Sequence, residues 1–246
     1  MPATRRASGC SAPREPPGSA AILAASFVTL ERGRLTRVAV LISGRGSNLL
    51  ALIESIERGE VPAEIVLVVS NRAEAGGLAH ARARAIPTLT ADRSHYPKRV
   101  DRHQRILAAL LAADVDLVVC AGFDEILRPE VVAELRGRML NVHPSLLPAF
   151  GQTLHAQAEA LAYGVKVTGC TVHIVTDDLD AGPILVQRPV PVLEDDTVES
   201  LSARIVAEEH KALPDAVRLF AEGRLIVEGK RVRILPRSQG AAAERR

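Results

Sequence analysis

The stretch Arg37-Val38-Ala39-Val40-Leu41-Ile42-Ser43, followed at once by Gly44-Arg45-Gly46-Ser47-Asn48, decides how the rest of the chain is read. Its unbroken apolar run has the length and branching of a strand buried on both faces, as in a parallel sheet. Beyond the glycine loop, Leu49, Leu52, Ile53 and Ile56 recur at helical spacing, with Ser47 or Asn48 suited to cap the helix. Strand, glycine turn and helix N-terminus in this order present free backbone N–H groups and a dipole that favour an anion such as phosphate. Arg45 adds a cation to that loop. The third glycine of the dinucleotide fingerprint and the Gly-Lys pair of the Walker loop are both missing. Taken alone, the loop is either a phosphate site or a tight turn.

Working outward, the alternation continues. Residues 63–70 form a second apolar strand and 74–85 a helix; 86–90 is a short strand, and a long helix after Tyr96-Pro97 carries Ile106, Leu107, Leu110 and Leu111. Residues 115–120 form another buried strand, ending in Ala121-Gly122-Phe123. Repeated strand–helix alternation predicts an α/β fold with right-handed crossovers and a doubly wound, mostly parallel sheet. Ligands of such sheets bind outside the carboxyl ends of the strands. On that edge falls Asn141-Val142-His143-Pro144-Ser145-Leu146-Leu147-Pro148, which closes the apolar pair Met139-Leu140. Residues two apart share a strand face, so Asn141 and His143 point into one cleft, and Pro144 turns the chain out of the ladder. An amide beside an imidazole suits a transition state that develops an oxyanion; the plainer alternative is a buried, hydrogen-bonded histidine at a strand end.

The second half changes character. Residues 154–163 read as a helix, and 166–175 and 183–192 as longer alternating strands, an antiparallel C-terminal addition to the sheet. Between them lies an acidic turn, Thr176-Asp177-Asp178-Leu179-Asp180-Ala181-Gly182-Pro183, which in isolation reads as a solvated loop. Asp196-Thr197-Val198-Glu199 has a capping-box pattern and starts a helix bearing Leu201, Ile205, Leu213, Val217 and Phe220, before a hairpin around Glu228-Gly229. The expected organisation is a disordered extension over 1–36, rich in Arg, Pro, Ser and Gly, one domain over 37–235, and a polar tail over 236–246.

Composition narrows the function classes. With 47% hydrophobic and 24% charged residues in 246, the chain is ordinary globular protein. Aromatics at 2% and no Trp leave little for a base-stacking platform, and a net charge of +2 gives no general field for a polyanion. No apolar run approaches the roughly 20 residues that span a bilayer. Neither nucleic acid nor membrane is therefore an expected partner. Cys10, Cys120 and Cys170 are too scattered for a disulfide framework or a zinc cluster, and the last two read as buried thiols of a reducing compartment.

Taken together, Ser43–Asn48 (SGRGSN), Ala121–Phe123 (AGF), Asn141–Pro148 (NVHPSLLP), Gly169–Pro183 (GCTVHIVTDDLDAGP) and Glu208–His210 (EEH) resemble the phosphoribosylglycinamide formyltransferase family, over essentially the whole domain. The resemblance implies a Rossmann-like formyltransferase fold, a cytoplasmic monomer or homodimer, and formyl transfer from 10-formyltetrahydrofolate to the amine of 5-phosphoribosylglycinamide without a metal. It also implies roles: Asn141, His143 and Asp180 catalytic, with His173 in support; Gly46, Ser47, Asn48 and Leu49 around the ribonucleotide phosphate; Glu209 at the ribose or amine end. Arg99 and the stretch Asp124, Glu125, Ile126 and Leu127 fall to the folate. Two departures stand out. Asp124-Glu125 occupy positions where the family usually has Met-Arg, reversing the charge at the folate edge, and Gly151-Gln152-Thr153-Leu154-His155 is one residue longer than the usual loop. The competing readings are a formyltetrahydrofolate hydrolase, a formyltransferase acting on another amine such as an aminoacyl-tRNA, and a non-catalytic folate or nucleotide binder.

Overall fold

The computed structural model describes residues 34–237, so nearly all of the expected extension and tail lies outside the described residues. At the described edges, order reaches slightly beyond the expected domain. Strand β1 (Thr36–Ile42) begins one residue earlier, and Arg34 donates to the Asp116 carboxylate at 2.7 Å. The other oxygen of this buried carboxylate accepts the Arg37 N–H at 2.8 Å, so one side chain anchors the entry to the first strand.

After β1 come α1 (Ser47–Glu57), β2 (Ala63–Ser70), α2 (Gly77–Arg82), β3 (Thr88–Thr90), α3 (Arg99–Ala112), β4 (Leu117–Cys120), α4 (Pro129–Glu134) and β5 (Met139–His143). The remainder is α5 (Ala156–Tyr163), β6 (Val167–Ile174), β7 (Ile184–Pro191), α6 (Val198–Ala221), β8 (Leu225–Glu228) and β9 (Arg231–Ile234). One sheet runs β3-β2-β1-β4-β5-β6-β7, and β8-β9 form a separate hairpin. Pairing is parallel from β3 to β5, and β6 is antiparallel to both β5 and β7. This is the doubly wound α/β sheet with an antiparallel C-terminal addition that the alternation predicts.

Helices cover both faces, which is why β1 reads as an unbroken apolar run. Val38, Val40 and Ile42 pack with Leu49 and Leu52 of α1 and with Leu201, Ile205 and Val217 of α6. Ala39 and Leu41 face the other way, onto Ile106 and Leu110 of α3 and Val131 of α4. Each fully buried Leu or Ile contributes about 1.5–3 kcal/mol. On β5, Leu140 and Val142 belong to the first face and Met139 to the second. Asn141 and His143, in phase with Met139, therefore leave the sheet together on the α3–α4 side.

The local structure departs from expectation at four points. Neither Ser47 nor Asn48 caps α1; Gly46 is the N-cap, at φ 74°, with no side-chain cap. A Cβ on Gly46 would sit 2.5 Å from Gly77 Cα, so the loop needs glycine both for its left-handed turn and for the close approach of α2. That approach also shortens α2 from the expected 74–85: the Gly77 N–H donates to Gly44 O at 3.0 Å, a tertiary bond in place of a preceding helical turn. Helix α4 was not anticipated, because a helix of Pro129–Glu134 is too short to show a period. At α6 the box closes through Ser200 rather than Glu199: Thr197 Oγ1 accepts the Ser200 N–H at 3.2 Å, and Ser200 Oγ accepts the Thr197 N–H at 3.0 Å.

Candidate active site

The carboxyl ends of β1, β4 and β5 meet beside the point where the strand order reverses between β1 and β4. The turns are tied to one another: the Ser43 N–H donates to Gly122 O at 3.0 Å, and the Asp124 N–H donates to Ser43 Oγ at 2.9 Å. Beyond this edge opens a cavity of about 470 Å³, lined on one side by Phe123 to Leu127 and on the other by Asn141, His143, His173 and the acidic turn through Asp180. Its apolar walls, among them Val132, Val142 and Val175, suit a flat heterocycle, with a few converging polar groups for orientation.

The polar groups converge because of strand register. Asn141 lies directly opposite His173 in the β5–β6 ladder, and Asn141 Nδ2 is 3.2 Å from His173 Nε2. His173 Nδ1 is 3.0 Å from Ile174 O, and a carbonyl can only accept. The proton therefore sits on Nδ1, leaving Nε2 to receive the Asn141 amide. His173 thereby fixes which way the amide faces, and the second Nδ2 hydrogen remains to donate. His143 is committed similarly: Nε2 is 2.8 Å from Phe150 O, so it carries a proton, while Nδ1 lies 3.4 Å from Asp180 Oδ2. The Nδ1 edge is the looser one and the edge that can turn to a reacting oxygen.

Asp180 arrives from the β6–β7 connection. Gly182 makes the turn possible, since a Cβ there would lie 1.8 Å from Ile174 O. Asp180 itself has φ 52°, and its side chain is 9% exposed between the two histidines. Burial pushes its carboxyl up, but its hydrogen-bonding and charged neighbours, the Gln152 N–H and His143 among them, outweigh that and hold it below the ordinary carboxylate range. The acidic turn is thus no solvated loop at this position, although Asp177 and Asp178 are exposed.

Asn48 and Glu209 are brought together away from the cavity lining. Asn48 Nδ2 donates to Glu209 Oε2 at 2.8 Å, joining α1 to α6 next to the glycine loop. Burial pushes the Glu209 carboxyl up, only partly countered by that amide, and Asn48 Oδ1 is buried with no partner. Such an orphaned acceptor beside a buried carboxyl has the chemistry of a site awaiting a hydroxyl or amine donor. Leu49 is core, so its side chain packs inward and what it offers the loop is limited to its backbone in the first turn of α1.

Asp124 and Glu125 do not present free negative charge. Asp124 pairs with Arg72 and accepts from Asn71 at 2.9 Å; Glu125 pairs with buried Arg102. Arg99 is not among the residues that line the cavity; it donates to Ile126 O and lies 3.9 Å from Glu125. The cavity edge over 124–127 is therefore neutralised. Residues that sequence reasoning passed over are Arg72, Arg102 and Asn71 in this network and Gln152, whose N–H donates to Asp180 Oδ2 at 2.8 Å. Only the unusual loop length and the Asp-Glu pair pointed towards them.

Cys120, in the cavity wall, and Cys170 are free and buried, and burial pushes both thiols up to about 12. Among the described residues no group of three or more His, Cys, Asp or Glu could hold a metal ion, and no helix is long and apolar enough to cross a membrane.

The geometry is accompanied by matches along the sequence. The model of the formyl transferase family matches residues 36–217. The chain belongs to the formyl transferase family. Within that family it is 40% identical over 188 residues to the phosphoribosylglycinamide formyltransferase of Escherichia coli, covering 76% of this chain and 88% of that protein. It is 48% identical over 188 residues to the human trifunctional purine biosynthetic protein adenosine-3, of which it spans 18%. Among solved formyl transferase structures, glycinamide ribonucleotide transformylase 1 of Symbiobacterium toebii superposes with a TM-score of 0.80 at 48% identity, over 86% of this chain and all (100%) of that one.

Proposed function

We propose that this formyl transferase moves the formyl group of 10-formyltetrahydrofolate to the primary amine of 5-phosphoribosylglycinamide, a step of purine synthesis. The observation that carries the reading is the convergence of Asn141, His143 and Asp180 at the end of one cavity, with a glycine loop and helix N-terminus nearby for a phosphate. The heterocycle of the folate lies against the backbone edge of 124–127 and the apolar wall, which brings its formyl carbon to the polar end of the cavity.

The amine attacks that carbon and forms a tetrahedral intermediate bearing an oxyanion. The free Asn141 Nδ2 hydrogen and, with the His143 ring protonated on both nitrogens, its Nδ1–H donate to the oxyanion, an effect that is strong where water is excluded. Asp180, kept ionised below the ordinary carboxylate range, receives the proton that the attacking amine sheds, directly or through a water, and helps relay it to the folate nitrogen as the bond to carbon breaks. Holding two substrates in one cleft supplies much of the remaining acceleration. The test is to supply both substrates and detect formylated glycinamide ribonucleotide. Release of formate without formylated product would instead favour a hydrolase, and no turnover of either kind a binding protein.

A further inference from the structure

We propose that Gln152, in the lengthened loop between Pro148 and α5, is a positioning residue whose backbone N–H holds Asp180 in its working rotamer and charge state. This rests on the role given to Asp180 above. The Gln152 N–H donates to Asp180 Oδ2 at 2.8 Å, and Gln152 Nε2 lies 3.4 Å from Leu179 O. Two residues earlier, Phe150 O accepts a hydrogen bond from His143 Nε2–H at 2.8 Å. The same short loop thus fixes both His143 and Asp180, which come from different strands.

Three residues without the freedom of glycine are left-handed around this one point: Phe150 at φ 53°, Gln152 at φ 62° and Asp180 at φ 52°. Each costs of order 1 kcal/mol or more, and such conformations cluster where surrounding contacts over-determine them. The left-handed conformation of Gln152 belongs to the same turn whose N–H meets the carboxylate. The loop is itself braced from below: Ser145 Oγ donates to Ala149 O at 2.5 Å, and Thr171 Oγ1 donates to Ser145 O at 2.7 Å. Asp180 is otherwise faced by His143 from β5 and by His173, engaged with Asn141, from β6. On its own turn, exposed Asp178 and Asp177, the latter held by Arg136 at 3.1 Å, complete the charged groups. Among these the loop N–H is the one neutral donor that meets the carboxylate at hydrogen-bond distance.

The experiment has two arms. In the unaltered protein, the amide proton of Gln152 is followed by NMR through an acid titration. An N–H donated to a carboxylate shifts as that carboxylate protonates, so it titrates with Asp180, and the step disappears in Asp180→Asn. An amide signal indifferent to pH, or unchanged by Asp180→Asn, overturns the proposal whether or not the chain transfers formyl groups. In the second arm, Gln152→Val disfavours the left-handed backbone, whereas Gln152→Gly keeps both the N–H and that conformation. The valine variant moves the acidic limb of turnover upward by about one pH unit, the size expected when one hydrogen bond to a charged group is lost. Its kcat falls while KM for either substrate stays close to the original, and the glycine variant keeps the original acidic limb. Equal shifts for valine and glycine, or none for valine in a protein that melts normally, overturn the positioning role. A titrating amide in a protein with no formyl transfer leaves the contact standing and refutes the proposed function alone.

Discussion

Removal of the Glu125 carboxylate gives the sharpest test of the neutralised cavity edge. Arg102 Nε donates to Glu125 Oε2 at 3.0 Å, its Nη2 donates to Oε1, and its Nη1 donates to Tyr96 O at 2.6 Å. The side chains are 3% and 6% exposed, so Glu125→Ala strands a guanidinium that water cannot reach. Breaking a buried pair from one side costs about 3–5 kcal/mol. For a domain of this size that lowers Tm by about 6–20 °C. Urea unfolding should show the loss in the midpoint at an unchanged slope. The double change Arg102→Met with Glu125→Leu should recover most of it, because apolar replacement of both partners is often neutral or stabilising. pH adds a signature. Burial pushes the Glu125 carboxyl up, but Arg102 and His103 outweigh it and hold it below its ordinary value of 4.5. A depressed carboxyl stabilises fully above the unfolded value, and that contribution is lost as pH falls below it and through the folded value. Glu125→Ala should therefore lack part of the acid-side decline. Because residues 124–127 line the cavity, KM for the folate should rise more than KM for the amine. A loss under about 1 kcal/mol, the range of an exposed pair, would refute the view that this pair is desolvated and shapes the wall.

Three further outcomes follow from the geometry. Asp180→Asn should reduce turnover by about 10²–10⁴-fold and abolish the acidic limb, which in the unaltered protein lies below the ordinary carboxylate range because Asp180 is held ionised; near-normal turnover in a pH–rate series would remove its proton-transfer role. Ser47→Asp places a carboxylate in the first turn of α1, where it should leave stability unchanged or raise it by about 0.3–1 kcal/mol yet weaken binding of the phosphate-bearing substrate, with folate affinity intact by calorimetry. It is a cleaner probe than Gly46→Val, because a side chain at Gly46 would strike Gly77 Cα at 2.5 Å and disturb α2 as well. Gly182→Ala should lower both Tm and kcat, since its methyl would lie 1.8 Å from Ile174 O and the turn carrying Asp180 must shift; a variant with normal kcat would show that the turn tolerates displacement.

The sequence by itself carried the architecture, since the apolar runs of β1, β2 and β4 and the helical spacing of α1, α3 and α6 are local signals set by burial on one or both faces. It also placed Asn141 and His143 on one side of β5, because strand phase is a property of consecutive residues. Asp180 was legible only through family resemblance, as nothing in an acidic turn tells a solvated carboxylate from one enclosed by His143 and His173. Tertiary structure decided everything that depends on separate segments meeting. The helix start at Gly46 is dictated by the approach of Gly77, and the Asn48 side chain is claimed by Glu209, 161 positions away. The apparent charge reversal at Asp124-Glu125 is cancelled by Arg72 and Arg102, which sequence spacing does not connect to it. Gln152 reaches Asp180 across 28 positions through its backbone, a group every residue but proline has, so no side-chain pattern could have announced it.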